Sequence, residues 1–165
     1  MAQVLLRGNP VSTSGELPAV GSAAPAFSLL NSSLEKISLE SLKGKKVVVS
    51  IFPSIDTPTC ATSTRVFNKE AAAKEGVTVV TVSEDLPFAL GRFCAAEGIA
   101  NVHTLSAFRS TFGQDYGVEL LDSPLAGLTA RAVVVVDEAG KVLHTELVAN
   151  VSDEPDYAAA LAALG

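Results

Sequence analysis

The sequence predicts an α/β fold, a mixed sheet with helices on both faces. Three observations predict it. Residues 46–52, 77–82 and 132–136 are continuous, β-branched apolar runs, the composition of strands buried on both faces. Residues 59–74 and 87–97 read as helices alternating with these strands. Residues 132–136 and 142–148 flank Asp137-Glu138-Ala139-Gly140, a hairpin signal. Strands that alternate with helices and then close in a hairpin give a mixed sheet covered by helices.

Each element has a local reason. Val4-Leu5-Leu6-Arg7, Gly8-Asn9-Pro10 and Val11-Ser12-Thr13 read as an N-terminal β-hairpin with its turn in the middle triplet. Residues 15–25, rich in Gly, Pro, Ala and Ser, are a connecting loop. Residues 27–30 and 36–39 are short strands around Asn31-Ser32-Ser33, and 40–43 are one helical turn stopped by Gly44. Pro53 ends the first buried strand. Gly76 stops the first long helix, and the second has Pro87 in its first turn and Gly98 past its end. A third strand over 102–105 precedes a short helix near 107–112, and an alanine-rich helix over 155–164 closes the chain. No internal repeat appears, and 165 residues fit one domain, 1–165.

Bulk properties exclude several function classes. Apolar residues make up 48% and charged residues 18%, which is globular and not disordered. A net charge of −6 repels phosphate backbones and argues against nucleic acid as a partner. The apolar runs fall far short of the ~20 residues a spanning helix needs, so no membrane association is expected. The start MAQVLLRGNP has neither the basic nor the apolar region of a signal peptide, so a cytoplasmic location is expected. Two cysteines are too few for a structural disulfide framework; in a reducing compartment such a pair is catalytic or simply buried.

Cys60 follows Pro53-Ser54-Ile55-Asp56-Thr57-Pro58-Thr59, where a buried strand ends and a helix begins. Thr57 suits the N-cap and Pro58 the first helical position, which puts Cys60 in the first turn. Unpartnered backbone N–H groups and the positive end of the helix dipole lie there, and both favour a thiolate. Position alone leaves a second reading open, in which Cys60 is a small buried filler. Nor does it choose peroxide over disulfide, sulfur or acyl chemistry. Cys94 shares a helical face with Leu86, Leu90 and Phe93, which by itself reads as a core cysteine. Arg131 by itself is a charge at the mouth of a strand, Thr57 a cap and Pro53 a strand breaker.

A wider set of matches sharpens this. Pro53, Thr57 and Cys60 fit the pattern PxxxTxxC, within Ile51-Phe52-Pro53-Ser54-Ile55-Asp56-Thr57-Pro58-Thr59-Cys60-Ala61-Thr62. Val20-Gly21, Ala24-Pro25-Ala26-Phe27, Phe93-Cys94-Ala95-Ala96-Glu97-Gly98, Thr104-Leu105-Ser106, Asp115-Tyr116-Gly117-Val118 and Ala130-Arg131-Ala132-Val133 extend the pattern over nearly the whole chain. In this ordered set the chain resembles the peroxiredoxins, specifically their thiol peroxidase branch, to which the leading hairpin also belongs.

The resemblance implies a thioredoxin-like core with peroxiredoxin additions. It implies that Cys60 is the peroxidatic cysteine and that Thr57 sets its hydroxyl against the sulfur and the incoming peroxide. Pro53 shields the sulfur from water, and Arg131 holds positive charge beside it. Cys94 is then the resolving cysteine of the same chain, closing an intrachain disulfide with the Cys60 sulfenic acid. A dithiol reductant of the thioredoxin type would reset the pair, and the substrate would be a hydroperoxide. No cofactor is expected, and a homodimer is implied. Thr57 is asked both to accept from the Cys60 N–H as a cap and to donate to the sulfur, and a hydroxyl has capacity for both. A disulfide needs Cα atoms within about 7 Å, so cysteines on two helices imply that the first turn around Cys60 and part of the Cys94 helix loosen; Gly91 weakens the latter by about 1 kcal/mol relative to Ala.

Other motifs carry nothing. His103 and His144 lie in no metal-binding spacing. Ser33-Leu34-Glu35-Lys36 fits SxxK without companion motifs, and no GxSxG, Walker loop or GxGxxG occurs. The lack of CxxC argues against an ordinary thioredoxin-type reductase. Two rivals to the enzyme reading are a thiol-based redox sensor with little turnover and a non-redox binding module.

Overall fold

One strand feeds two cores. Along β5 (Lys46–Ile51), Val47, Val49 and Ile51 enter one apolar cluster and Val48 the other, because successive strand side chains point to opposite faces. The computed structural model describes every residue from Met1 to Gly165. β5 pairs in parallel with β6 (Val77–Ser83) and antiparallel with β8 (Ala132–Val136). β7 (Val102–Ser106) extends the parallel side, and β9 (Val142–Leu147) closes the expected hairpin with β8. β3 (Ser28–Leu30) and β4 (Lys36–Ser38) complete a seven-stranded sheet in the order β4-β3-β7-β6-β5-β8-β9. The valines of β5 and β8 are at most 1% exposed. Each such side chain contributes about 1.5–3 kcal/mol by leaving water.

α1 (Pro58–Glu70) and α4 (Tyr157–Ala163) cover the face that carries Val48, Val133 and Val135, through Phe67, Ala160 and Leu164. α2 (Pro87–Glu97) lies on the same side, its Cys94 Sγ 3.5 Å from Thr104 of β7. The opposite face is covered by the short α3 (Phe112–Asp115), by loops, and by Val4 and Val11 of the N-terminal ribbon β1 (Gln3–Leu6) and β2 (Asn9–Ser12). Phe112 and Tyr116 stack there with Phe27 edge-on to Phe112, and the buried Tyr116 hydroxyl donates to the Pro25 carbonyl at 2.8 Å. No helix is long and apolar enough to cross a membrane.

Several boundaries differ from expectation, each for a local reason. The hairpin turn is only Arg7-Gly8, both at positive φ (51° and 82°); this is the pair of left-handed residues a tight twisted turn needs. Asn9 and Pro10 therefore belong to β2, and an edge strand tolerates the proline. The short helix comes later than expected, at Phe112–Asp115. Ala107 N–H is held by the Ser83 carbonyl, and Arg109 sits at φ 68°, so 107–111 form a turn. The closing helix starts at Tyr157, where Asp156 accepts from the Ala159 N–H at 3.1 Å. The first long helix ends at Glu70, and residues 71–74 form turns.

Candidate active site

The loop after β5 and the first turn of α1 bring four of the sequence-selected residues together. Cys60 is the third residue of α1 and is 0% exposed. Thr57 Oγ1 lies 2.7 Å from Cys60 Sγ. Arg131, just before β8, is 3% exposed and donates from Nη2 to Cys60 Sγ at 3.3 Å. Pro53 is buried where β5 ends. The expected cap is corrected: Thr57 precedes the helix in extended backbone, but its side chain accepts nothing from the Cys60 N–H. Its oxygen is drawn to the sulfur and to the Ser54 carbonyl, 2.8 Å away. One hydroxyl proton thus faces two acceptors, and a thiol Cys60 can donate to Thr57 while a thiolate must accept from it.

Arg131 departs furthest from a solvated surface charge. Its Nε donates to the Val151 carbonyl at 3.0 Å, and its Nη1 is buried without a partner. It takes part in none of the chain's ion pairs. An isolated buried charge is costly, and the side chain that Arg131 hydrogen-bonds is Cys60, through its sulfur. The free Nη1 N–H groups are donors not yet used. A cavity of about 340 Å³ ends on Pro53, Thr57 and Arg131, walled by Leu6, Leu125 and Leu128, and no acidic residue lines it. The N-terminal ribbon forms part of that wall because Leu5 and Val151 exchange backbone hydrogen bonds with the 149–151 segment and β1 respectively. A larger groove, about 390 Å³, is lined by Lys36, Phe108 and Arg109, but none of Pro53, Thr57, Cys60 or Arg131 reaches it.

Cys94 stands in the last turn of α2. Gly98, at φ 65°, caps that turn by donating to the Cys94 carbonyl. Both cysteines are free, and both touch one small cluster: Cys60 is within it beside Phe52, Leu90 and Phe93, and Cys94 packs against it. Leu86 is corrected: it is the residue before the helix and is 47% exposed, outside the apolar face. Gly91 has a packing reason, since a Cβ there would stand 3.2 Å from Ser32 Cβ. Two exposed ion pairs tie the Cys60 segment to α2: Arg65 with Glu97, through two hydrogen bonds of 2.8 and 3.0 Å, and Arg92 with Asp56 at 2.6 Å. No cluster of three or more His, Cys, Asp or Glu is placed to hold a metal ion.

Sequence reasoning missed Asp85. It is the second residue after β6, at the carboxyl end of a parallel strand, where open α/β sheets gather functional groups; that placement was the available signal. Its carboxylate accepts from Ser54 Oγ (2.7 Å), Ile55 N–H (2.7 Å) and Ser83 Oγ (2.6 Å). Beside it, burial first, then Glu119 and Asp85, push the Glu84 carboxyl up to about 7. The protonated form is the one the fold favours. Its contribution is complete below the ordinary carboxylate range and is lost as pH rises through about 7. Glu84→Gln, neutral throughout, is therefore expected to raise Tm relative to the parent increasingly from about pH 5 to about pH 8. Thermal melts across that range read it, and a constant difference would contradict it.

The chain is similar over nearly its whole length to proteins of one family. The Redoxin family model matches residues 19–161. The chain is 59% identical over 165 residues to the thiol peroxidase of Mycobacterium tuberculosis, covering 100% of this chain and 99% of that one. It is 58% identical over 164 residues to the thiol peroxidase of Corynebacterium glutamicum, covering 99% of each. Among solved structures, a peroxiredoxin-like protein from Aquifex aeolicus superposes with a TM-score of 0.94 at 38% identity, over 99% of this chain and 96% of that one.

Proposed function

The chain belongs to the Redoxin family and is a peroxiredoxin-type thiol peroxidase, and we propose that it works through a Cys60 sulfenic acid and a Cys60–Cys94 disulfide. The observation that carries the reading is the buried Arg131 guanidinium, which has no carboxylate partner, 3.3 Å from the Cys60 sulfur. Such a group supplies the countercharge a buried thiolate needs.

The thiolate attacks the terminal oxygen of a hydroperoxide held in the cavity. An S–O bond forms as the O–O bond breaks, and the electron pair leaves on the departing oxygen. That oxygen takes up a proton and departs as water or alcohol, and Cys60 becomes a sulfenic acid. Negative charge grows on the leaving oxygen, and in this proposal the Arg131 guanidinium, whose Nη1 has no partner, stabilises it. Thr57 turns its one hydroxyl proton to the sulfur or the peroxide as the step requires. Pro53, buried at the end of β5 and lining the same cavity as Thr57 and Arg131, is the residue that keeps bulk water from the sulfur in this proposal. Cys94 then attacks the sulfenic sulfur, an S–S bond forms and water leaves. A dithiol of the thioredoxin type reduces the disulfide.

Closing that disulfide requires the two helix ends to leave their present caps and ion pairs. Arg65 holds the Glu97 carboxyl below the usual carboxylate range, chiefly by hydrogen bonding, so this tie persists until pH falls through that lowered value. Glu97→Gln removes it. The expected result is a few-fold faster conversion of sulfenic acid to disulfide, with the rate of Cys60 oxidation unchanged; rapid quench and mass spectrometry read both steps. A slower conversion would contradict the proposed loosening.

The single-domain reading, a homodimer and a cytoplasmic location complete the proposal. Leu86, Phe88 and Phe108 are exposed apolar side chains that a second copy would cover, and the two free cysteines suit a reducing compartment. The deciding experiment follows NADPH with thioredoxin and its reductase, using hydrogen peroxide and cumene hydroperoxide in parallel. Sustained NADPH loss supports the proposal, whereas a single stoichiometric burst would make the protein a redox sensor.

A further inference from the structure

The Asp85 carboxylate hydrogen-bonds to Ser54 and Ile55 of the loop before α1 and to neither cysteine. It nevertheless acts on the Cys60 environment through one peptide plane. A trans peptide unit is planar, and its N–H and C=O point in opposite directions. In the unit joining Ser54 to Ile55, the Ile55 N–H donates to Asp85 Oδ2 at 2.7 Å. The carbonyl of the same unit, on Ser54, accepts from the Thr57 hydroxyl at 2.8 Å and from the Thr57 N–H at 3.1 Å. Fixing one edge of the plane therefore aims the other.

Asp85 is itself held on every side. Ser54 Oγ donates to Oδ1 at 2.7 Å, which anchors the residue that bears the carbonyl. Ser83 Oγ donates to Oδ2 at 2.6 Å, and Ser106 Oγ donates to the Asp85 backbone carbonyl at 2.6 Å. The last two partners sit at the ends of β6 and β7, so Asp85 is tied to the sheet as well as to the loop. Without Asp85, the plane is held on its carbonyl edge alone, by the Thr57 N–H and hydroxyl, and the register that puts the Thr57 oxygen 2.7 Å from the sulfur loosens.

We propose that Asp85 is a positioning residue for the oxidation of Cys60, setting the Thr57 hydroxyl against the sulfur through the Ser54–Ile55 peptide. This rests on Cys60 being the attacking sulfur. Asp85 also lies two residues before the helix that carries Cys94, so one carboxylate joins the loop of the first cysteine to the start of the helix of the second.

The experiment is a double-mutant cycle on the first oxidation, measured in single turnover with hydrogen peroxide and rapid quench. The proteins are the parent, Asp85→Asn, Thr57→Val and the double variant. Asp85→Asn keeps the shape but offers an amide where two acceptor oxygens stood. It is expected to slow the first oxidation on the order of tenfold, as loss of a charge-assisted hydrogen bond would. In the Thr57→Val background it is expected to change the rate by less than about twofold, because the residue it acts through is gone. A general weakening of the fold would instead lower the rate equally in both backgrounds. Equal losses, or an Asp85→Asn variant as fast as the parent, overturn the inference. Should Asp85→Asn not fold, the same cycle with Asp85→Glu, which displaces the carboxylate by one methylene, is decided by the same two results. A parent protein that consumes no peroxide would overturn the Cys60 reading itself, which keeps the two failures apart.

Discussion

Cys60→Ser is expected to fold and to lose peroxidase activity by roughly a thousandfold or more, to the uncatalysed background. The substitution exchanges one atom. A serine hydroxyl stays neutral at neutral pH and lacks the polarisable lone pairs that attack an O–O bond. Every other part of the site would remain: Thr57, the Arg131 guanidinium and the cavity that ends on them. Those donors polarise a leaving oxygen, but with no nucleophile there is no bond for the departing electrons to be displaced by. The measurement is hydroperoxide consumption under the conditions that give sustained turnover for the parent, with circular dichroism to confirm the fold. Retention of activity would remove Cys60 from the reaction.

Cys94→Ser is expected to separate the two halves of the cycle. The first oxidation should proceed at the parent rate, since Cys94 lies in the last turn of α2 and touches the reacting sulfur only through the shared apolar cluster. Turnover with a thioredoxin-type reductant should then fall by about tenfold or more, because no disulfide forms for that reductant to attack. One equivalent of peroxide is consumed, and the sulfenic acid accumulates. Excess peroxide carries it on to the sulfinic acid, which thiols do not reverse. Intact-mass measurement reads these stages as the gain of one and then two oxygen atoms on the peptide that contains Cys60. Undiminished turnover in this variant would mean that the reductant attacks the sulfenic acid directly.

The parts of the fold set by local composition were legible in the sequence. β5 and β8 announce themselves as apolar runs because both faces of each strand meet a core. The start of α1 is legible because Thr57-Pro58 permits little else than a helix beginning. What failed depends on partners and boundaries that composition alone does not show. Thr57 looks like an N-cap, but its hydroxyl proton is turned to a sulfur three residues ahead and a carbonyl three residues back, and its oxygen accepts nothing from the helix. The turn at 107–111 replaces an expected helix because the Ser83 carbonyl, on a neighbouring strand, captures the Ala107 N–H. Leu86 has helical spacing with Leu90 yet ends exposed, because the helix begins one residue later.

The site shows the same division. Cys60 and Thr57 sit within one loop and helix start, so their proximity follows from local geometry. Arg131 lies 71 residues away from Cys60, and nothing in Ala130-Arg131-Ala132 says that the guanidinium is buried and unpaired. The resemblance to a known family pointed to it; burial and distance supply the physical reason. Asp85 escaped notice because its partners, Ser54 and Ile55, belong to a loop 30 residues earlier, and only the sheet brings the two ends together.

The most direct measurement treats the reduced protein with one equivalent of hydrogen peroxide and maps its peptides by mass spectrometry without reduction. The account predicts a single species in which the peptides bearing Cys60 and Cys94 are joined within one chain, with the peroxide gone. Two free thiols and unconsumed peroxide would contradict it.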